Sequence, residues 1–258
     1  MEQEKHQNRF PHQLLDTQRR NIHLEARSIR EMTTKYFHTE KPSMLIVHSP
    51  VVNFTRDGLV NPVYLNMVRE PYSRFVSWYN FVQVYQPQHI PKDLNLNDCV
   101  QNNNTICGSF CPNTGDILIE IDSALTYFTY TLIPFEKNES QRVALCGEAM
   151  LNLAKRNIHK YFAVVGYTEN YVQFLQVMEA IYPDIFRGVK SKFLAQHSQL
   201  IKVNSVESRK EKTYINIPTN STREILMKRL RYDYELYYFV KARFDQLYKQ
   251  LIPESQQN

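Results

Sequence analysis

The chain has 258 residues, 43% of them apolar, only six glycines, and a net charge of +5. That length and apolar content can bury one large core, and the 17 Tyr and 14 Phe exclude a wholly disordered chain. The mild charge comes without any recognised nucleic-acid motif, which argues against nucleic acid as a partner, and neither a run of 18 apolar residues nor a leader predicts a membrane span or signal peptide.

In chain order, residues 1–18 read as a flexible N-terminal segment, 19–252 as a single domain and 253–258 as a flexible tail. Arg19 to Phe37 predicts a helix with Ile22, Leu24, Ile29 and Met32 on its apolar face, ended before Pro42. Ser43 to Val47 predicts a short buried strand, followed by the Ser49-Pro50 break and a connection through Asp57-Gly58. Val63 to Val68 has the β-branched and aromatic character of an interior strand, and Pro71 suits the first position of a helix.

Gln86 to Asn113 is polar and broken by prolines, and is expected to be irregular. Asp116 to Leu132 is open between strand and helix. Glu148 to Ile158 predicts a helix, Phe162 to Gly166 a strand and Asn170 to Ile181 a further helix. Thr222 is expected to cap one closing helix that runs to Leu251, with Leu226, Leu230, Tyr237, Val240, Phe244 and Leu247 on its apolar face. Alternating strands and helices imply an α/β fold with a parallel sheet.

The strand ends at Arg69 and turns at once into the Pro71 helix, with Ser73 and Ser77 on one helical face. An anion at that turn would meet a guanidinium fork, a hydroxyl and free helix N–H groups. The bland alternative is that Arg69 pairs with Glu70 or an aspartate while Ser77 faces solvent. Between Lys190 and Lys212 six Lys/Arg face only Glu207 and Glu211, a local net +4 that suits a polyanion or else a solvated loop. Four sequons, at Asn53, Asn103, Asn138 and Asn220, together with Cys99, Cys107, Cys111 and Cys146, favour a disulfide-bearing lumenal domain. The cysteine spacing fits a zinc site poorly.

The pattern Arg69-Glu70-Pro71-Tyr72-Ser73-Arg74-Phe75-Val76-Ser77 resembles the 3′-phosphate motif of Golgi carbohydrate sulfotransferases, most closely that of the uronyl 2-O-sulfotransferases. The resemblance extends to Asn53–Gly58, to Tyr161–Glu169, to Phe174–Pro183 and Phe186–Gly188, and to Leu226–Phe239. It implies a sulfotransferase-like, P-loop-related parallel sheet flanked by helices. The implied activity is transfer of sulfate from 3′-phosphoadenosine-5′-phosphosulfate, with no metal, to the 2-O position of uronic acid in a glycosaminoglycan or related glycan. The implied setting is the Golgi lumen, as a homotrimer whose type II membrane anchor lies outside this chain.

Residue by residue, the resemblance assigns the nucleotide 3′-phosphate to Arg69 and Ser77. The family places its basic acceptor residues in the loop after the motif helix, but Val82 to Asp98 holds only Lys92 and His89. The Lys190 to Lys212 segment is the candidate instead, with Arg209, Lys210 and Lys212 reaching the acidic glycan and Ser208 and Thr213 touching the nucleotide. His48, six residues before Phe54, matches the catalytic base; read alone, a histidine at a strand end is a hydrogen-bonded structural residue. The family's other histidine, two positions earlier, is Ile46 here. The family's first disulfide matches Cys99 with Cys107. Cys111 and Cys146 remain, and would bridge if the loop before Asp116 lies against the start of the Glu148 helix. Nothing in Met1 to Pro42 resembles the family's Pro-Lys-Thr loop for the 5′-phosphosulfate, so an N-terminally incomplete fold is expected. The alternative function is an inactive or partial relative that binds a glycan or a partner.

Overall fold

The computed structural model describes residues 44, 46, 51–57, 60–111, 115–119, 123–129, 146–196 and 216–254. The expected helix at 19–37 lies outside these residues, as does the strand expected at 43–47 apart from Met44 and Ile46.

The centre of the fold is a pair of parallel strands, β1 (Tyr64–Val68) and β4 (Phe162–Tyr167), in register from Leu65 against Val164 to Val68 against Tyr167. Apart from Ala163, which is exposed, strand β4 is buried on both faces, as its unbroken apolar run requires. Helix α1 (Pro71–Tyr85) follows β1 after two residues. A small antiparallel ladder, β2 (Ser109–Phe110) with β3 (Ile117–Leu118), lies between helices α2 (Leu96–Gln101) and α3 (Ala124–Thr129). Helix α4 (Gly147–Tyr161) leads directly into β4, which is followed by a 3-10 turn and by α5 (Tyr171–Ile181) and α6 (Pro183–Phe186). The chain closes with α7 (Asn220–Arg229) and α8 (Arg231–Leu251). This is the mixed α/β architecture that the alternation predicts, with a small parallel sheet. Among the described residues no helix is long and apolar enough to cross a membrane.

One core packs α4 (Met150, Leu151, Ala154, Ile158) and α8 (Leu236, Val240, Phe244) on β4. Gly166 in β4 is required there because an added Cβ would stand 2.4 Å from Phe174 Cδ2 of α5. A second core joins α1 (Phe75, Tyr79, Val82) to Leu96, Cys99, Val100 and Cys107, and to Leu226 and Leu230. It also fixes the far end of α1, where the Tyr79 hydroxyl donates to the Leu94 carbonyl at 2.9 Å and Gln83 Nε2 donates to the same carbonyl at 2.7 Å.

Three expectations change. The 86–113 segment contains α2, capped by Asn95, whose Oδ1 accepts from the Asp98 N–H at 2.9 Å; Leu96, Cys99 and Val100 on α2 are fully buried. Thr222 is not the cap, because Thr219 accepts its N–H at 3.3 Å and the Thr222 side chain is buried inside the helix. The closing segment is two helices meeting at Leu230 rather than one. The open stretch from Asp116 resolves into both alternatives, β3 and then α3. There the buried Asp233 carboxylate accepts from Ser123 Oγ at 2.9 Å and from the Ala124 N–H at 2.8 Å, and so holds the start of the helix.

Disulfides join Cys99 to Cys107 and Cys111 to Cys146, with Cα separations of 5.8 and 6.0 Å. The second ties the β2 end to the residue before α4, where Gly147 takes a φ of +59° that favours glycine. Arg229, only 6% exposed, closes the first disulfide loop from outside. It donates to the carbonyls of Cys107 at 2.8 Å and Val100 at 2.9 Å, and to Asn103 Oδ1 at 2.6 Å. Burial pushes the guanidinium pKa down, and its hydrogen bonds offset that desolvation. Arg229→Met, which keeps most of the stem, is expected to cost about 3 kcal/mol because buried acceptors lose their donor. Urea denaturation measures this, and an unchanged midpoint would refute the role.

Candidate functional site

The strands β1 and β4 run parallel, so their carboxyl ends share one edge of the molecule, the place where open α/β sheets bind ligands. Arg69 and Glu70 leave β1 there, and Thr168 to Asn170 leave β4. Arg69 is exposed and makes no ion pair or side-chain hydrogen bond with any described residue. Ser77 is exposed on α1, one turn beyond Ser73.

Glu70 is not paired with Arg69. Its carboxylate caps α1, accepting from the N–H of Ser73 at 2.7 Å and that of Tyr72 at 3.4 Å, and it also accepts the hydroxyl of Tyr234 on α8. Burial pushes this carboxyl up, but the hydrogen bonds of Ser73, Tyr234 and the first-turn N–H groups outweigh it and hold the pKa below its ordinary value. The stability that the cap contributes is therefore present above the unfolded carboxyl's pKa and is lost as pH falls through the folded one. Burial first, and then the bond and charge of Glu70, push the Tyr234 hydroxyl up, so it remains a donor. The expectation of free helix N–H groups is corrected here: Pro71 has none, and Glu70 takes the next two. What remains for an anion is side chains, a guanidinium at the strand end and a hydroxyl on the helix.

From β4, Glu169 reaches across to the same turn. Its Oε1 accepts the Glu70 N–H at 2.9 Å, and its Oε2 accepts the Tyr237 hydroxyl of α8 at 3.2 Å. Burial, followed by the charge of Glu169, pushes the Tyr237 hydroxyl up as well. Arg74, the second arginine of the motif, lies over the Tyr127 ring at 5.8 Å, and Arg223 lies over Tyr72 at 5.1 Å.

The structure thus places Arg69 and Ser77 on one strand-turn-helix. His48, Ser208, Arg209, Lys210, Lys212, Thr213 and Asn138 lie outside the described residues. Of the other sequon asparagines, Asn103 and Asn220 are exposed, and Asn53 is half-buried with its Oδ1 accepting from the Thr55 hydroxyl at 2.6 Å. Glu169, Tyr234 and Tyr237 were not readable as site residues, because their partners at Glu70 and Glu169 lie 99, 164 and 68 positions away and no local pattern marks them.

No protein-family model matches the chain. Among curated proteins it is 28% identical over 225 residues to a mouse uronyl 2-sulfotransferase, covering 82% of this chain and 50% of that protein. It is 28% identical to the Drosophila melanogaster uronyl 2-sulfotransferase homolog pip, over 79% of this chain and 40% of that one. To the Caenorhabditis elegans heparan sulfate 2-O-sulfotransferase it is 24% identical, over 81% of this chain and 60% of that one. The chain spans about half the length of the uronyl 2-sulfotransferases it matches.

Proposed function

We propose that this chain, a relative of the uronyl and heparan sulfate 2-O-sulfotransferases, serves transfer of sulfate from 3′-phosphoadenosine-5′-phosphosulfate to the 2-O position of uronic acid in a glycosaminoglycan or related glycan. The observation that carries the reading is the state of Arg69. It stands at the carboxyl end of β1, exposed, with its neighbouring carboxylate committed to capping α1. An unneutralised guanidinium fork with a hydroxyl farther along the helix suits the 3′-phosphate of the donor nucleotide. The donor supplies the sulfuryl group; Arg69 and Ser77 orient it by its 3′ end. His48 takes the proton of the acceptor hydroxyl. Ser208 and Thr213 complete the nucleotide contacts, and Arg209, Lys210 and Lys212 meet the acidic glycan. The two disulfides and the exposed sequon asparagines support an oxidising lumenal setting, for which the Golgi lumen is proposed, and a homotrimer is proposed from the sequence resemblance alone.

The test is calorimetric binding of adenosine 3′,5′-bisphosphate. Arg69→Ala is expected to weaken it by at least ~1.5–3 kcal/mol, roughly 10- to 150-fold in Kd, the worth of a charge-assisted hydrogen bond. Affinity for adenosine 5′-phosphosulfate, which lacks the 3′-phosphate, should be unaffected. Equal bisphosphate affinity in mutant and parent would overturn the assignment.

A further inference from the structure

We propose that Glu169 and Tyr234 are positioning residues that keep the Arg69 guanidinium available to a phosphate, an inference that rests on the phosphate-binding role given to Arg69 above. Two separate problems are solved at this turn. The first is direction. Arg69 follows the last residue of β1, and its backbone is fixed only if the Arg69–Glu70 peptide is fixed. Glu169 Oε1 accepts the N–H of that peptide at 2.9 Å, so the end of β4 sets the plane from which the Arg69 side chain departs. The Tyr237 hydroxyl, at 3.2 Å from Oε2, holds Glu169 to this task.

The second problem is charge. Glu70 is the neighbour of Arg69 in sequence, and a free carboxylate there would neutralise the guanidinium and compete with any anion. Three donors draw it away: the N–H groups of Tyr72 and Ser73 and the hydroxyl of Tyr234. Two of these belong to α1 itself. Tyr234 is the contribution of α8, and it connects the closing helix to the anion site.

Electrostatics alone and positioning predict opposite results at Glu169. If only charge matters, removing the carboxylate beside a phosphate site tightens binding whatever replaces it. If positioning matters, Glu169→Gln retains an amide oxygen for the Glu70 N–H and binds adenosine 3′,5′-bisphosphate at least as well as the parent, whereas Glu169→Ala loosens the turn and binds about three- to tenfold more weakly. Tyr234→Phe is expected to weaken the same nucleotide by a similar factor. In an Arg69→Lys background the Glu169→Ala loss should shrink to under about twofold, because a flexible ammonium stem does not depend on a fixed direction. The Tyr234→Phe loss should persist there, because a released Glu70 carboxylate neutralises an ammonium as well as a guanidinium. Calorimetry on the folded variants, their thermal midpoints matched to the parent, decides the matter. Tighter or unchanged binding by Glu169→Ala, or a Glu169→Ala loss undiminished in the lysine background, would overturn the role of Glu169. Unchanged binding by Tyr234→Phe, or a Tyr234→Phe loss that vanishes in the lysine background, would overturn that of Tyr234. Failure of Arg69→Ala to weaken binding instead overturns the phosphate site itself, so the two ideas fail separately.

Discussion

Replacing Cys111 and Cys146 together by alanine is expected to remove about 4 kcal/mol of stability, on the chain-entropy estimate for a bridge spanning 35 positions. The same estimate gives about 2.5 kcal/mol for Cys99–Cys107, which spans eight. The long bridge matters for position as well as for entropy. It ties the β2–β3 ladder to the residue before α4, and α4 carries much of the main core and runs directly into β4. Both cysteines form a buried cluster with Leu118, against which Tyr232 packs, so alanine also loses contact there, which adds to the entropic loss. Guanidinium denaturation of secreted protein, with and without the pair, measures the difference. A double variant with the parent's midpoint, or peptide mapping that finds Cys107 linked to Cys111, would refute the account.

The parts of this fold that were legible in the sequence are those whose causes are local. The strand at 64–68, Pro71 at the first helical position and the helix-strand-helix run from Gly147 to Ile181 follow from apolar runs, a proline and periodicity. The Cys111–Cys146 bridge became readable only once the family pattern had matched Cys99 to Cys107. Helix α2 was hidden because its six residues sit among prolines and asparagines, and its three buried side chains are too few to show a period. The break at Leu230 was hidden for the opposite reason: apolar residues recur on both sides of it, so periodicity runs straight through. Thr222 has the composition of a cap, but burial gave that role to Thr219.

At the site, Arg69 and Ser77 were legible because motif and helix phase coincide. The Glu70 cap was not, since glutamate is not among the preferred capping residues and its own neighbours suggested a salt bridge instead. Glu169, Tyr234 and Tyr237 meet only through tertiary packing of β4 and α8 on the β1 turn.

The largest effect on turnover is expected at His48, where alanine should lower kcat by ~10²–10⁴ and leave donor affinity nearly intact, the signature of a lost general base. The chemistry requires a group that takes a proton from a sugar hydroxyl at mildly acid to neutral pH, and imidazole is the side chain whose unperturbed pKa lies there. Three residues beyond His48 the chain is firmly held: the Val51 N–H donates to the Tyr127 carbonyl at 3.1 Å, and Val51, Val52 and Phe54 are all buried. Arg69→Ala should behave differently, raising the donor KM through lost phosphate binding. The pH profile separates a base from a structural histidine. The parent's kcat/KM should rise with pH, since only neutral imidazole accepts the proton, and the His48→Ala variant should lose that rise. These assays need a protein in which the 5′-phosphosulfate loop that Met1 to Pro42 does not match is supplied, expressed through a secretory host, with the nucleotide donor and a desulfated glycosaminoglycan acceptor. A parent without turnover would sink the transferase reading, and a His48→Ala variant as active as the parent would return His48 to a structural role.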